Sequence, residues 1–452
     1  MRVELEFGKS GIALELPEGY NYRVLSSRSA QPLTDPAGEI STALDVPLAG
    51  PALRDLARGK RSAAIAVCDI TRPAPNRVVL PHVLRRLADA GLPSEAVTIL
   101  IATGLHRPAT EREIREIVGE GMAASIRVVN HDARNLAQHQ YLGETENRTP
   151  VYIDRRFLES GLHLTLGFIE PHLMLGYSGG RKLIAPGLAA QETIKALHSP
   201  KFMRDSRAVE GSMAANPLHR ELLNIARLAR HDFLLDVALT RRREIAGVFA
   251  GNPEEAHRQG AEFVARIMLE TLDEPVDAVV TSSAGYPLDL TFYQSIKGIT
   301  AAAHLVKPGG RILLIAACEE GCGSKEFTRL LSEYRDAAQF LGDIEHRPVI
   351  VDQWQLEKLA LVKQKADLMF YVPGLDPRLQ AGLWGPTFPT AAAAIEGLTA
   401  GLPRGARVAI VPEGPYVLAR AAAAQPQPAW RPCQGRGGSG LTSRSGSATV
   451  EK

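Results

Sequence analysis

The stretch "SAAIAVCDITRPAPNRVVLPHVLRRLADAGLPSEAVTILIATGLHRP", residues 62–108, decides the fold. An apolar run, "SAAIAVCD", is followed by "PNRVVLPHVLRRLADAG", whose apolar residues recur at helical spacing, and then by a second apolar run, "AVTILIATG". Strand, helix, strand in that order predicts a parallel βαβ unit. Moving outward, "TEREIREIVGEG" reads as a helix, "SIRVVNHD" as a strand and "HLTLGFIEP" as another strand. Helices are expected near 188–197, 217–230 and 253–271.

The rhythm restarts at "DAVVTSS". Helices follow at "LTFYQSIKGITAAAHLV", "KEFTRLLSEYRDAAQFLG", "DQWQLEKLALVKQKA" and "TAAAAIEGLTAGL", and strands at "RILLIAAC", "DLMFYVPG" and "RVAIVPEG". The fold class is therefore α/β, with two domains and mostly parallel sheets. We place an N-terminal domain at residues 1–272, a C-terminal domain at 273–416 and a disordered tail at 421–452, the last rich in Gly, Ser, Pro and Gln. Which sheet takes the strand "RVAIVPEG" is open. The start, "MRVELEFGKSGIALELPEG", alternates apolar and charged residues and reads as a β-hairpin.

The bulk numbers exclude several classes. The chain has 452 residues, 45% hydrophobic and 23% charged, with a net charge of +2. That balance points to neither nucleic acid nor an anionic membrane. No apolar run is long enough to span a bilayer. Four cysteines in so long a chain make no disulfide framework, so the chain reads as cytoplasmic.

In open α/β sheets, ligands bind beyond the carboxyl ends of the strands. The segments falling there are "CDITRP" with Asp69, Thr71 and Arg72, "TGLHRP" with His106, "VVNHD" with His131, and "EPHLMLGYSGGRKLIAPG" with His172 and Lys182. The second half adds "SSAGYPLDLTFYQSIKG" with Asp289, Tyr293, Gln294 and Lys297. Each has a plainer reading. Asp69 with Pro73 or Pro75 is a helix-start device, His131 with Asp132 is a capped turn, and His198 in "HSP" is a charge at a helix end. Gly179 and Gly180 permit positive φ and a close backbone approach by a ligand. Neither a Walker A loop nor a GxGxxG fingerprint is present, which weighs against nucleoside triphosphates and dinucleotides. The pair Cys318 and Cys322 lacks the second pair that a zinc site needs. Two histidines can work as acid and base, a third can bind metal, and an arginine can grip a carboxylate. Gln294 and Lys297 share a helix face. These residues suit acid–base chemistry on a small carboxylate, with an anionic or metal cofactor.

Taken in order, "DITRP", "TGLHRP", "EPHLMLGYSGGRKLIAPG", "HSP", "GYPLDLTFYQSIKG", "DQW" and "VAIVPEGPY" resemble the nickel-dependent lactate racemase family over roughly residues 1–416. The resemblance implies an active-site cleft between two α/β domains. It implies a nickel-pincer nucleotide, a pyridinium-3,5-bisthiocarboxylic acid mononucleotide carrying nickel, covalently attached at Lys182. His198 matches the nickel ligand, and His106 and His172 match the catalytic pair. Asp69, Thr71, Tyr177, Gly179 and Gly180 fall on the cofactor side, and Arg72, Tyr293, Gln294, Lys297 and Trp354 on the substrate side. The implied activity is racemisation or epimerisation of a small 2-hydroxy acid by reversible hydride transfer, with separate maturation enzymes making the cofactor. Two other classes stay open: an NAD-type 2-hydroxy acid oxidoreductase or epimerase, and a non-catalytic metal-binding protein.

Overall fold

The computed structural model describes residues 1–26 and 30–422, so the expected tail lies outside the described residues from 423 onward. The quoted stretch forms the strand Ala63–Cys68, the helix Asn76–Asp89 and the strand Val97–Ala102. The helix buries Val79, Leu80, Val83 and Leu87, one stripe at helical spacing. Every residue of Ala63–Cys68 is buried, as expected of a strand covered on both faces.

The first sheet has six strands in the order Ile245–Gly251, Phe233–Leu239, His163–Phe168, Ala63–Cys68, Val97–Ala102, Arg127–Asn130. All pair in parallel except the edge strand Ile245–Gly251. Three neighbours, His163–Phe168, Ala63–Cys68 and Val97–Ala102, thus end side by side, and their loops carry His172, Asp69 with Arg72, and His106.

The second sheet has five parallel strands, ordered Asp367–Tyr371, Val306–Ile315, Val276–Ser282, Arg407–Val411, Asn21–Val24. This settles the open strand, which pairs with Val276–Ser282. It also corrects the domain boundary at residue 1. The strand Asn21–Val24 bonds to Arg407–Val411, and the hairpin Arg2–Leu5 with Ile12–Glu15 sets Leu5, Leu14 and Leu16 against Ile395, Leu398, Val408 and Ile410. The chain's start therefore belongs to the second domain. Local periodicity shows that a strand exists but not its distant partner.

"KEFTRLLSEYRDAAQFLG" is two helices, Lys325–Glu333 and Ala337–Glu345, where one was expected. The break is made by Asp336, whose carboxylate accepts from Gln339 N at 2.8 Å and starts the second helix. The domains are tied beside the cleft. Lys358, buried on the helix Gln353–Lys365, donates to Met203 O at 2.8 Å and Ala208 O at 3.0 Å. Arg204 Nε reaches the fully buried Glu357 at 2.9 Å.

Candidate active site

Between the domains lies a cavity of ≈ 590 Å³ lined by both. The first domain contributes Asp69, Arg72, His106, His172, Gly179, Lys182 and His198 to its wall, and the second Tyr293, Gln294, Lys297, Asp352 and Trp354. Sequence-selected residues more than a hundred positions apart thus meet in one place.

Asp69 sits at the end of its strand and orients the nearest imidazole. Its Oδ2 is 2.6 Å from His106 Nδ1, and its Oδ1 accepts from Thr71 Oγ1 at 2.6 Å. Burial works to raise this carboxyl, but the bonds from His106 and Thr71 outweigh it and hold it below its ordinary value. An ionised Asp69 keeps the His106 proton on Nδ1 and leaves Nε2 as an acceptor. His172 has the opposite tautomer, since its Nδ1 accepts, at 3.4 Å, from Met174 N. Burial first, then the charges of Lys182, Arg72 and Lys297, push His172 well below the ordinary histidine range and keep it neutral. The two rings therefore offer one lone pair and one N–H.

Three basic side chains surround them. Arg72 pairs with Glu170 at 3.3 Å. Lys297, on the helix Phe292–Ala302, is pushed down to about 7 by burial and then by Arg72. Lys182 is pushed well below its ordinary value by burial first and Arg72 next, and no carboxylate lies within ion-pair distance of its Nζ among the described residues. Gln294 turns toward the same space with its buried Oε1 unpartnered. A buried acceptor without a donor is costly and marks a place where a ligand can supply one.

His198 ends the helix Gln191–Leu197 and its Nδ1 donates to Ile194 O at 2.7 Å, which leaves Nε2 with a lone pair. Burial pushes its pKa down to about 4. The Trp354 indole lies against it, centroids 4.3 Å apart and planes at 39°, and Trp354 Nε1 donates to the Tyr293 hydroxyl at 3.1 Å.

Some expectations change. Tyr177 does not line the cavity. Its ring is buried among Ile169, Ala238, Ala261, Val264 and Leu418, so it supports the loop from beneath. Thr71 lines a neighbouring chamber and serves Asp69. Gly179 and Gly180 do take positive φ, 85° and 48°. A Cβ at either, however, would run into the protein: Asp236 Oδ2 at 2.3 Å below Gly179, and Leu234 Cδ1 at 2.7 Å below Gly180. Packing under the loop is by itself enough to require glycine at both positions. Asp289 is a structural brace, accepting from Gly8 N at 2.7 Å and Ala317 N at 3.1 Å. His131 stays outside the site, its Nε2 2.9 Å from His139 Nε2. Among the described residues no three His, Cys, Asp or Glu side chains gather as a metal cage, and no helix is long and apolar enough to cross a membrane. Missed from the sequence were Glu170, Asp352 and Asp236, single acidic residues whose partners are remote in the chain.

The arrangement is that of a two-domain α/β protein whose cleft sets two imidazoles, His106 and His172, beside Arg72, Lys182 and Lys297. Comparison with known proteins makes this specific. The family model for the lactate racemase N-terminal domain matches residues 7–211, and that for the C-terminal domain matches residues 272–419. The lactate racemase of Thermoanaerobacterium thermosaccharolyticum is 36% identical over 365 residues, spanning 80% of this chain and 85% of the relative. That of Lactiplantibacillus plantarum is 32% identical over 385 residues, spanning 84% and 90%. The lactate racemase apoprotein structure from the first organism superposes with a TM-score of 0.87 at 32% identity, covering 93% of this chain and 100% of that one. A Thermotoga maritima crystal structure, 17% identical with a TM-score of 0.64, covering 87% of this chain and 99% of that one, shares the fold. The chain belongs to the lactate racemase family and is an isomerase.

Proposed function

We propose that this protein inverts C2 of a small 2-hydroxy acid, lactate or a close relative. The observation that carries the reading is the complementary pair of imidazoles, His106 with Nε2 free to accept and His172 with its proton on Nε2, in one cavity with Arg72 and Lys297. Arg72 and Lys297 hold the substrate carboxylate, which supplies orientation. Gln294 Oε1, lacking a donor among the described residues, accepts from the substrate. His106 Nε2 takes the C2 hydroxyl proton from one side, and His172, once its ring proton has moved from Nε2 to Nδ1, takes it from the other side for the opposite enantiomer.

We further propose that the cleft takes the nickel-pincer nucleotide, with Lys182 as tether and His198 as nickel ligand. The donor set fits: His198 presents a neutral Nε2 lone pair, and Lys182 is an amine whose positive charge burial suppresses. When bound, that group supplies an acceptor for the C2 hydrogen, a role no side chain of the cleft can fill. Separate maturation enzymes would provide it.

The test is a chiral assay over several 2-hydroxy acids, using protein purified from a host able to make the cofactor and substrate deuterated at C2. Inversion with deuterium retained at C2 is expected. Free exchange of that deuterium with solvent, or full activity in protein without nickel, would refute the reading.

A further inference from the structure

Glu210 belongs to the first domain, and its buried carboxylate meets the second. Oε1 accepts from Thr300 Oγ1 at 3.0 Å, and Oε2 lies 2.7 Å from His304 Nε2. Arg420, also of the second domain, donates to the Glu210 carbonyl. Thr300 stands three residues beyond Lys297 on the helix Phe292–Ala302, and its hydroxyl also lies 2.9 Å from Lys297 O. The hydroxyl has one proton, and of the two acceptors the charged one holds it more strongly. Burial works to raise the Glu210 carboxyl, but His304 and Arg420 outweigh it and bring it down to about 2, so it stays an ionised acceptor for both donors.

Behind the carboxylate, the backbone is bound to the hairpin that carries His172. Gly211 N donates to Gly176 O at 2.9 Å, and Gly176 pairs with His172 across that hairpin. The two segments press together, since a Cβ on Gly176 would fall 2.0 Å from Ser212 O. Asn216 Nδ2 closes the contact, donating to Met174 O at 2.9 Å and Ser212 O at 3.1 Å. His172 and Lys297 are thus joined through Gly176, Gly211, Glu210 and Thr300, each step a strand pairing, a hydrogen bond or a chain neighbour.

We propose that Glu210 is a positioning residue for substrate binding: through Thr300 and His304 it sets where the helix bearing Gln294 and Lys297 stands relative to the hairpin bearing His172. The inference rests on the racemase reading for what those three residues do, but not for their placement. A buried carboxylate with two donors adds little net stability over an apolar contact of the same size. Its two oxygens do fix the direction of two donors, which an apolar contact does not.

Hydrogen–deuterium exchange by mass spectrometry, on the full chain without cofactor, reads the placement. Glu210→Ala is expected to speed exchange roughly 10-fold over both 292–304 and 171–177, and to leave the edge strand Arg127–Asn130 as it was. Glu210→Gln keeps an oxygen for Thr300 and can donate to His304 Nε2 once that ring's proton lies on Nδ1, so exchange should return toward the wild-type rate. Thr300→Val removes one donor with little change of shape. It is expected to speed exchange in the same two segments, and it carries the test should Glu210→Ala fail to fold. In loaded enzyme, Glu210→Ala should lower kcat/KM roughly 100-fold, mostly through a raised KM, the scale of a misplaced binding group. In a Lys297→Ala background the same change should cost no more than about 3-fold, because its effect passes through Lys297. Unchanged exchange in both segments, or the whole loss repeated in the Lys297→Ala background, would overturn the proposal. Exchange needs no turnover, so it decides the placement even for a protein that racemises nothing.

Discussion

His106 Nδ1 lies 2.6 Å from Asp69 Oδ2, and the two residues come from the ends of adjacent parallel strands. The pair fixes which nitrogen of the ring carries the proton. Asp69→Asn keeps the shape but can present an amide N–H to Nδ1, which moves the ring proton to Nε2 and removes the lone pair. We expect kcat to fall roughly 100- to 10,000-fold, the usual range for a lost general base. KM should change little, because Arg72 and Lys297 are untouched. Steady-state kinetics in both directions checks this.

Lys297 gives the pH dependence. Burial and Arg72 bring its pKa down to about 7, so in the free enzyme it is charged below that and neutral above. If its charge holds the substrate carboxylate, KM is lowest below pH 7 and rises above it. Lys297→Arg, which stays charged throughout, should flatten the rise. Stability moves the other way. Between about 7 and the ordinary 10.5 the unfolded chain binds the proton that the folded chain has lost, so this group makes stability increase with pH across that window. KM measured against pH for both proteins, with urea midpoints alongside, tests both signs.

The first-sheet strands and their loops were legible because apolar runs end abruptly in Asp69, His106 and His172, and the pattern alone says where strand ends gather. What stayed hidden depends on partners far away. Asn21–Val24 reads as a strand but pairs with Arg407–Val411. Tyr177 looks like part of a ligand loop, and only the packing of Ile169 and Leu418 around it shows otherwise. Asp352 reads only as the first residue of the helical stretch "DQWQLEKLALVKQKA", since neither its left-handed backbone nor its bond to Ser324 has a sequence signature.

Gly179 tests the support beneath the loop. Its φ is 85°, and an added Cβ would lie 2.3 Å from Asp236 Oδ2. Gly91 has a similar φ, 89°, with nothing within 4 Å of such a Cβ. Gly91→Ala should therefore show the backbone cost alone, roughly 1–2 kcal/mol. Gly179→Ala should lose clearly more, because either the loop or Asp236 must shift. Denaturant unfolding of the two variants decides this. Equal losses would mean that the loop yields freely and that Asp236 gives it no support.

Lys182 and His106 separate anchoring from turnover. The Lys182 amine is pushed toward its neutral form by burial, with Arg72 and Lys297 adding to the effect, and Glu170 does not approach closely enough to restore the charge. A neutral amine in a cleft is a nucleophile rather than a counter-ion. In a host able to make the cofactor, the intact mass of the wild-type chain should therefore exceed the sequence mass by one nucleotide adduct. Lys182→Ala should lose that mass and all racemisation. His106→Ala should keep the mass and, on the proposed reading of His106 as a base, lose turnover, because its ring bonds to Asp69 and not to the tether. Lys182→Arg restores a cation but not a nucleophile. If it kept the bound nucleotide after denaturation, another side chain would have to be the tether. If it kept activity with only dissociable nucleotide, Lys182 would be a simple phosphate partner.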